Sequence, residues 1–219
     1  MPKTAVNAAA ILTDRVFFPM LVNLAGRKCV VVGAGKVAAA KIDGLLACGA
    51  SVTVVSPRAL PAIQRHARAG MLIWRRHAFS ARDLNGAFLA IAATSSRKTN
   101  AAVFRACATR CIFCNSVDDP EHCDFIYPAV VRRGPLQIAI STGGRSPALA
   151  SRLRRQFEQK FGPEWGAWVN HLGQLRENLL HRDLSVTARR ERLRKLASPP
   201  AFRTFLRQRN GKSSRKKRP

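Results

Sequence analysis

One short stretch, residues 29–41, constrains the fold of this chain more than any other. Its first four residues are apolar and three of them are β-branched, which predicts a buried strand over 29–32. Gly33-Ala34-Gly35 follows directly, and apolar residues then recur at helical spacing until Gly49, where a C-terminal cap belongs. Strand, glycine turn and helix in this order are typical of the start of a dinucleotide-binding βαβ unit.

Each small residue of this turn has a role in that interpretation. Gly33 allows the tight turn, and Gly35 lets the backbone come close to a pyrophosphate. Ala38 stands in place of a third glycine and is small enough for the helix to lie against the strand. The free N–H groups of the first helical turn then point at the phosphates. The alternative is a glycine turn in some other doubly wound domain, because the short motif alone is not specific.

Four more apolar segments extend the prediction to a whole domain. Strands are predicted at 52–55, 71–74, 87–93 and 112–117, with helices between them, as in an α/β fold with a Rossmann-type, doubly wound parallel sheet. The second strand leads into Ser56-Pro57-Arg58 and lacks the acidic residue that often binds the ribose hydroxyls of NAD. Arg58 could accept the 2′-phosphate of NADP or be a solvated loop residue, so the choice between the two cofactors stays open.

The sequence pattern changes after residue 117. An acidic turn at 118–121 leads into two extended segments that flank Arg132-Arg133-Gly134-Pro135 and predict a β-hairpin or a pair of extended arms. A second glycine-rich loop at 141–147 opens an amphipathic helix, and more helices follow it. The predicted parts are a cofactor-binding domain at 1–117, a hairpin and active-site segment at 118–147, a helical domain at 148–208 and a disordered basic tail at 209–219.

The 219 residues carry a formal net charge of +26, unevenly distributed. Basic residues exceed acidic residues by 13 in residues 1–115, by 2 in 116–162 and by 11 in 163–219. Such a field attracts polyanions, either a nucleic acid or a polycarboxylate substrate, unless the charges are only a solvated surface. The sequence has no recognisable nucleic-acid-binding motif and Tyr127 is its single tyrosine, so no specific nucleic acid partner is expected.

The six cysteines fit free thiols, because a chain of this size needs no disulfide framework. Cys111-x-x-Cys114 invites a redox or zinc-binding interpretation, but Cys114 lies in an apolar strand and no second such pair exists. No metal site is therefore expected. No run of about 18 apolar residues is present, which predicts no membrane partner. Residues 1–13 do not resemble a signal peptide, and the expected location is the cytoplasm.

Five motifs in this order resemble the precorrin-2 dehydrogenases, a family that includes the N-terminal module of bacterial sirohaem synthase. The motifs are Leu-x-Gly-Arg-x-Cys-Val-Val-Val-Gly-Ala-Gly-x-Val-Ala at 24–38, Leu-Ala-Ile-Ala-Ala-Thr at 89–94, Cys-Asn-Ser-Val-Asp-Asp-Pro at 114–120, Cys-Asp-Phe-Ile-Tyr-Pro-Ala at 123–129 and Ile-Ser-Thr-Gly-Gly-Arg-Ser-Pro-Ala-Leu-Ala at 140–150. The resemblance covers about residues 18–180. The methyltransferase module of those synthases has no counterpart here, which implies the stand-alone form.

The resemblance implies a reaction. Members of the family oxidise precorrin-2 to sirohydrochlorin with NAD⁺, and some also insert Fe²⁺ to make sirohaem. Asp118 matches the aspartate implicated in both activities, and a carboxylate at the end of a strand can act as a general base while hydride leaves. The local sequence allows another role for Asp118, since an Asp before Asp-Pro is a common turn former.

The resemblance also assigns residues to the cofactor and the substrate. Those implied to contact NAD are Gly33, Gly35, Lys36, Val37, Ala38, Pro57 and Arg58, with Thr94 and Asn115 as neighbours. The substrate has eight carboxylates, and the residues that could receive them are Arg132, Arg133, Ser141, Gly143, Gly144, Arg145 and Ser146. Arg132 and Arg133 are equally compatible with a solvated hairpin tip.

Three further points follow from the resemblance or remain open. Fe²⁺ chelation does not follow from the dehydrogenase motifs, and His122 and Cys123 could hold a metal or be structural. A homodimer is implied, in which residues 125–162 are exchanged or packed between subunits, so the small α+β segment would also be a dimerisation segment. The alternative function is an NAD(H)-binding regulatory module without catalysis.

Overall fold

The computed structural model describes residues 16–215, with side chains described up to residue 209. Residues 1–13, which were predicted not to form a signal peptide, and residues 216–219 of the predicted basic tail lie outside this range. The chain divides into two compact units, one ending at Ile126 and the other starting at Tyr127. No helix in the described range is long and apolar enough to cross a membrane.

The first unit is built on a five-stranded parallel sheet. Its strands are β1 (Lys28–Val32), β2 (Ser51–Val55), β3 (Ile73–Arg75), β4 (Leu89–Ala92) and β5 (Phe113–Ser116). The strand order is β3-β2-β1-β4-β5, and every neighbouring pair is parallel. This order matches five of the six strands of the Rossmann arrangement, 3-2-1-4-5-6, in which the order reverses between the first and fourth strands and a crevice opens at the carboxyl edge. The predicted Rossmann-type α/β fold is confirmed.

Three α-helices cover this sheet: α1 (Lys36–Ala47), α2 (Pro61–Arg68) and α3 (Arg97–Ala108). Short 3-10 turns lie at Ala81–Leu84 and Pro120–His122. The central strands are largely apolar because both faces of the sheet are covered. One face packs Val31, Ile42 and Ile91 into a core, and the other packs Val30, Ala90 and Val103.

The sheet's boundaries differ little from the predicted ones. The largest differences, of two residues, are at the starts of the third and fourth strands. The third starts at Ile73, after exposed Met71 and buried Leu72, and the fourth starts at Leu89. Residues 118–126 belong to the compact first unit, whereas the sequence placed a boundary at 117. They fold back along β5, where Asp124 N–H donates to the carbonyl of Cys114 at 2.8 Å.

The second unit begins with an antiparallel hairpin of β6 (Ala129–Arg133) and β7 (Leu136–Ile140). Gly134 in its two-residue turn has φ +57, a left-handed conformation that favours glycine. A Cβ on Gly166, in the following helical region, would lie 2.7 Å from the carbonyl oxygen of Arg133. The hairpin turn therefore packs on a helix through a glycine that has no room for a side chain.

Four helices follow the hairpin: α4 (Pro147–Lys160), α5 (Glu164–Leu180), α6 (Val186–Leu196) and α7 (Pro199–Arg215). Trp168 of α5 packs against Phe202 and Phe205 of α7, with ring centroids 5.5 and 5.0 Å apart. Helix α7 is longer than the predicted 202–206 segment, and its backbone runs through residues 209–215, which composition predicted to be disordered. Residues 209–215 include Asn, Gly and two Ser, which are weak helix formers, so this end of α7 continues from the part that is docked by aromatic residues rather than from its own propensity.

Candidate active site

The turn after β1 needs glycine at its first position for reasons internal to the fold. Gly33 has φ +105, and a Cβ there would lie 2.7 Å from the carbonyl carbon of Ala93, the residue that follows β4. The N–H of Gly33 donates to the carbonyl of Val55 at 3.0 Å, and Ala93 N–H donates to the carbonyl of Val32 at 2.8 Å. Gly33 thus joins the ends of three strands, and no larger residue fits there.

Gly35 has no such internal reason to be glycine. Its φ is −84, which any residue adopts, and a Cβ at this position would have no neighbour within 4 Å. It is the N-cap of α1, and no side chain caps the first N–H groups of this helix. The first turn also contains no acidic residue. The N-terminus of α1 therefore presents free N–H donors to open space, which fits a bound pyrophosphate.

Lys36 and Val37 are exposed in this first helical turn, as the resemblance implied for cofactor contacts. Ala38 is fully buried in the core between α1 and the sheet. Its side chain thus acts as expected of a small residue in place of the third glycine, since it allows α1 to lie close to β1.

Pro57 and Arg58 lie in an exposed loop directly after β2. The hydroxyl of Ser56 donates to the carbonyl of Arg58 at 2.7 Å, and Leu60 N–H donates to the carbonyl of Ala34 at 3.2 Å. This loop is therefore tied to the glycine turn, so Arg58 is held beside the end of the sheet where the ribose of a dinucleotide would lie.

Thr94 follows β4 and is held in place by hydrogen bonds to a buried residue of α3. The side-chain oxygen Oδ1 of Asn100 accepts from Thr94 Oγ1 at 2.7 Å and from Thr94 N–H at 3.2 Å. The Nδ2 group of Asn100 donates to the carbonyl of Thr94 at 3.1 Å. Thr94 is therefore positioned at the carboxyl edge, between the ends of β1 and β5.

Asp118 lies two residues beyond β5, at the same edge of the sheet. Its φ is +58, a left-handed conformation that is uncommon for a residue other than glycine, although Asp is among the residues that tolerate it. The side chain is exposed. Since neighbouring strands lie about 4.8 Å apart and β4 lies between β1 and β5, the ends of these two strands are separated by about 10 Å. Asp118 is thus placed at the same sheet edge as the glycine turn, on its β5 side.

The segment after Asp118 is fixed by side chains that face inward. Asn115 is buried and its Nδ2 donates to the carbonyl of Phe125 at 2.9 Å and to the Cys123 sulfur at 3.3 Å. The Asp124 carboxylate accepts from Cys114 N–H at 2.8 Å. The amide of Asn115 therefore holds residues 123–125 in place, a role the sequence did not suggest for a residue expected to be a neighbour of the cofactor.

His122 and Cys123, which the sequence left open as metal ligands, lie in different surroundings. The Cys123 sulfur is buried and donates to the carbonyls of Ser116 and Asp119. His122 Nδ1 lies 2.6 Å from the Asp119 carboxylate, and its ring packs edge-on against Phe104. Within the described residues, no group of three or more His, Cys, Asp and Glu side chains is arranged to hold a metal ion.

The Cys-x-x-Cys pair is not a redox pair in this structure. Cys111 is exposed in a turn, whereas Cys114 is buried and hydrogen-bonds with Cys107 of α3. That hydrogen bond and burial raise the pKa of the Cys114 thiol. Burial, together with neighbouring Cys48, raises the pKa of Cys29 to about 11. Both thiols stay protonated at neutral pH and are poor nucleophiles and metal ligands.

The residues expected to bind substrate carboxylates lie in the second unit. Arg132 is exposed on β6. Arg133 donates to the carbonyls of Phe161 at 2.7 Å and Glu158 at 3.0 Å, and so caps the C-terminal end of α4. Arg133 therefore has a structural role in the fold, and its expected contact with the substrate stays a prediction. Nothing in the local sequence indicates the structural role, because the partners of Arg133 are 25 and 28 residues away in the chain.

The loop between β7 and α4 is a turn with glycines at φ +62 and +83, Gly143 and Gly144. Gly143 N–H donates to the Ser141 hydroxyl at 3.1 Å. The Ser146 hydroxyl accepts from Leu149 N–H at 3.3 Å and is the N-cap of α4. Ser146 therefore has a structural role that is sufficient to explain it, and Arg145 is exposed beside it.

Sequence reasoning did not assign Asn100 and Asp124 to this site. Asn100 lies on one helical stripe with Val103 and Cys107, which are fully buried, and a polar residue on an apolar stripe was a signal that could have been noticed. Asp124 has no such signal, because its bond to β5 depends on how the chain folds back.

Comparisons with known proteins agree with this geometry. A family model described as "Putative NAD(P)-binding" matches residues 20–129, and one described as "Sirohaem biosynthesis protein central" matches residues 133–160. The chain is 38% identical over 174 residues to siroheme synthase of Photorhabdus laumondii, covering 80% of this chain and 37% of that protein. It is 36% identical over 203 residues to siroheme synthase of Xylella fastidiosa, covering 92% and 43%.

The chain thus spans less than half the length of these curated relatives. A solved structure of SirC, a precorrin-2 dehydrogenase, is 27% identical with a TM-score of 0.72, and the match covers 88% of this chain and 98% of that one. From the glycine turn, the free N-terminus of α1 and these matches, we conclude that the chain belongs to the NAD(P)-binding family that siroheme synthase and precorrin-2 dehydrogenase share.

Proposed function

We propose that the protein is an NAD-dependent dehydrogenase that oxidises precorrin-2 to sirohydrochlorin in sirohaem biosynthesis. The observation that carries the proposal is the placement of two features at one sheet edge. The glycine-lined N-terminus of α1 follows β1, and Asp118 follows β5 in a strained conformation. The similarity to SirC, a precorrin-2 dehydrogenase, supports the choice of substrate.

The residues at this edge fit a dinucleotide. Gly35 leaves room for the pyrophosphate, and the N–H groups of Lys36 and Val37 would donate to it. Thr94, which Asn100 holds in place, would flank one end of the dinucleotide. The loop of Pro57 and Arg58 would flank the other end. NAD⁺, when bound, supplies the hydride acceptor.

Asp118 would remove the proton that accompanies hydride loss. Precorrin-2 loses two hydrogens, one as hydride and one as a proton, and the exposed carboxylate of Asp118 can accept that proton. The left-handed backbone at Asp118 is one that Asp tolerates, so the turn can hold an exposed carboxylate at this sheet edge. We propose Arg132 and Arg145 as partners of the substrate carboxylates.

An anaerobic assay tests the function directly. Purified protein is mixed with enzymatically generated precorrin-2 and either NAD⁺ or NADP⁺, and the sirohydrochlorin spectrum is followed. Asp118→Asn, which also tolerates the left-handed backbone, should lower the rate about 10²–10⁴-fold with unchanged NAD⁺ affinity by calorimetry. Asp183→Asn, at an exposed position of the second unit, is the matched control and should keep full activity.

Two outcomes would redirect the proposal. If the wild-type protein binds NAD⁺ but oxidises no precorrin-2 with either cofactor, the regulatory-module alternative replaces the enzyme. If Asp118→Asn keeps the wild-type rate, the dehydrogenase stands and Asp118 is only a turn residue. Addition of Fe²⁺ to the product, followed by the sirohaem absorbance, then tests for the chelatase activity, which the dehydrogenase motifs do not by themselves imply.

We also propose a homodimer and a cytoplasmic location. Within the described part of the second unit only Val131, Ala150, Trp168 and Leu179 are fully buried apolar residues, a small core for a unit that starts at Tyr127. A second copy would cover the half-exposed apolar residues.

The proposed cytoplasmic location is supported by the six free cysteines, because a reducing compartment keeps thiols in this state.

A further inference from the structure

The last two helices of the chain carry an unusual concentration of positive charge. Residues 181–219 contain fourteen Lys and Arg against two acidic residues, Asp183 and Glu191. Nine of these basic residues lie in the part whose side chains the structure describes, and eight of the nine are Arg. The proposed oxidation of precorrin-2 uses none of them.

Two pairs of these arginines lie one helical turn apart and point to solvent. Arg190 and Arg194 are exposed on α6, and Arg203 and Arg207 are exposed on α7. Between residues 181 and 209, the ion pair that the structure shows joins Lys195 to Glu191 at 3.2 Å, and none of the four arginines forms one. The four guanidinium groups therefore keep their charge available for a partner.

The fold does not need these charges. Helix α7 is held by Phe202 and Phe205, which pack on Trp168, and α6 turns its partly buried Leu193 and Leu196 inward. Like charges four residues apart disfavour a helix rather than stabilise it. Arg194 lies in the last turn of α6, where the helix dipole favours a cation, but none of the four side chains takes part in the packing of the two helices.

The residue types of this basic surface favour a phosphate-rich polyanion over other polyanions. Arginine exceeds lysine, and its planar guanidinium binds phosphate oxygens through two N–H groups. Val186 is the single large apolar side chain that is exposed between residues 181 and 209, so this region has no apolar face for a bilayer. Phe202 and Phe205 are half-buried against Trp168, so between residues 181 and 209 no exposed aromatic ring is available to stack on the bases of a single strand.

We propose that α6 and α7 form a docking surface for the phosphate backbone of a double-stranded nucleic acid, bound without sequence preference. Phosphate contacts of this kind position a protein on a duplex and carry no sequence information. The proposal is thus compatible with the lack of a sequence-reading motif, and it does not depend on the proposed dehydrogenase activity.

Fluorescence anisotropy with a labelled 25-base-pair DNA duplex of random sequence tests the proposal on the full chain. The test variant is Arg190→Gln/Arg194→Gln/Arg203→Gln/Arg207→Gln. The control variant removes the same charge from exposed arginines of the first unit: Arg65→Gln/Arg68→Gln/Arg82→Gln/Arg105→Gln. Both keep residues 210–219, so any contribution of that tail is common to all three proteins. Thermal melting by circular dichroism verifies that each variant is folded.

The expected result is a difference in the salt dependence. Each phosphate contact contributes about −0.9 to the slope of log K against log salt concentration, so the test variant should have a slope shallower by up to about 3.6. The control should keep nearly the wild-type slope. Equal losses in the two variants would show that binding follows net charge alone, and an unchanged test variant would place any binding elsewhere. Wild-type protein that binds anionic phospholipid vesicles but not the duplex would also overturn the proposal.

Discussion

At the scale of single residues, Gly33 and Gly35 after β1 are glycines for different physical reasons. Gly33→Ala forces a left-handed φ on alanine and places its Cβ against the backbone of Ala93, so the free energy of unfolding should fall by about 3–5 kcal/mol. Gly35→Ala meets no atom of the chain and should change that free energy by at most about 1 kcal/mol.

NAD⁺ affinity, in contrast to stability, should be sensitive to substitution of Gly35. The methyl group of Gly35→Ala would occupy the space beside the N-terminus of α1, so the dissociation constant for NAD⁺ should rise at least about tenfold, equal to about 1.4 kcal/mol. Urea unfolding and titration calorimetry measure the two quantities on the same samples. Unchanged affinity of the folded Gly35→Ala protein would mean that the pyrophosphate does not approach this turn.

A buried thiol gives a prediction about alkaline pH. Burial, with a contribution from Cys48, raises the pKa of Cys29 from 9.0 to about 11. Between these values the unfolded state releases its proton and the folded state keeps it, so stability is lost as pH rises from 9 to 11. The loss due to Cys29 is about 2–3 kcal/mol. Urea midpoints of Cys29→Ala should fall less steeply over this range than those of the wild type, and parallel curves would contradict the assignment.

At the scale of elements, α3 positions the loop after β4 through Asn100. Asn100→Ala removes the acceptor of the Thr94 N–H and the shorter of the two hydrogen bonds of the Thr94 hydroxyl, which also reaches the Ser96 carbonyl at 3.1 Å. The free energy of unfolding should fall by about 1–3 kcal/mol. The loop should also become mobile, which raises the dissociation constant for NAD⁺. Asn178→Ala, on an exposed face of α5, is the control and should change neither quantity. Loss of stability without loss of affinity would show that Thr94 does not contact the cofactor.

How far the elements could be predicted depends on where their determinants lie. The β1–α1 unit is encoded within residues 28–47, because strand, turn and helix depend on neighbouring residues, and its bounds were predicted nearly to the residue. The attachment of residues 123–125 to β5 through Asn115 and Asp124 depends on contacts 8 to 10 residues apart, and composition gives no sign of it. Helix α7 was underestimated because its anchor, Trp168, lies on another helix.

At the scale of the whole molecule, the second unit has apolar side chains that a single chain leaves partly exposed to solvent. Tyr127 is 42% exposed, Leu149 46% and Leu180 49%, and its hairpin contains a single fully buried residue, Val131. A two-stranded sheet is marginal without a second apolar surface. Our proposal of a homodimer therefore predicts, from sedimentation or light scattering, the mass of two chains rather than that of one 24.1 kDa chain.

Two substitutions locate the interface. Leu149→Asp places a charge in the first turn of α4, within the segment expected to pack between subunits, and should shift the mass toward one chain. Val186→Asp places the same charge in the first turn of α6, outside that segment, at a residue that is 79% exposed. An acidic residue is compatible with the first turn of either helix, so local helix stability does not explain a difference between them. A wild-type protein with the mass of one chain at micromolar concentration, or equal effects of the two substitutions, would refute this interface. A Leu149→Asp protein that is monomeric and folded would show that the second unit obtains part of its core from its partner.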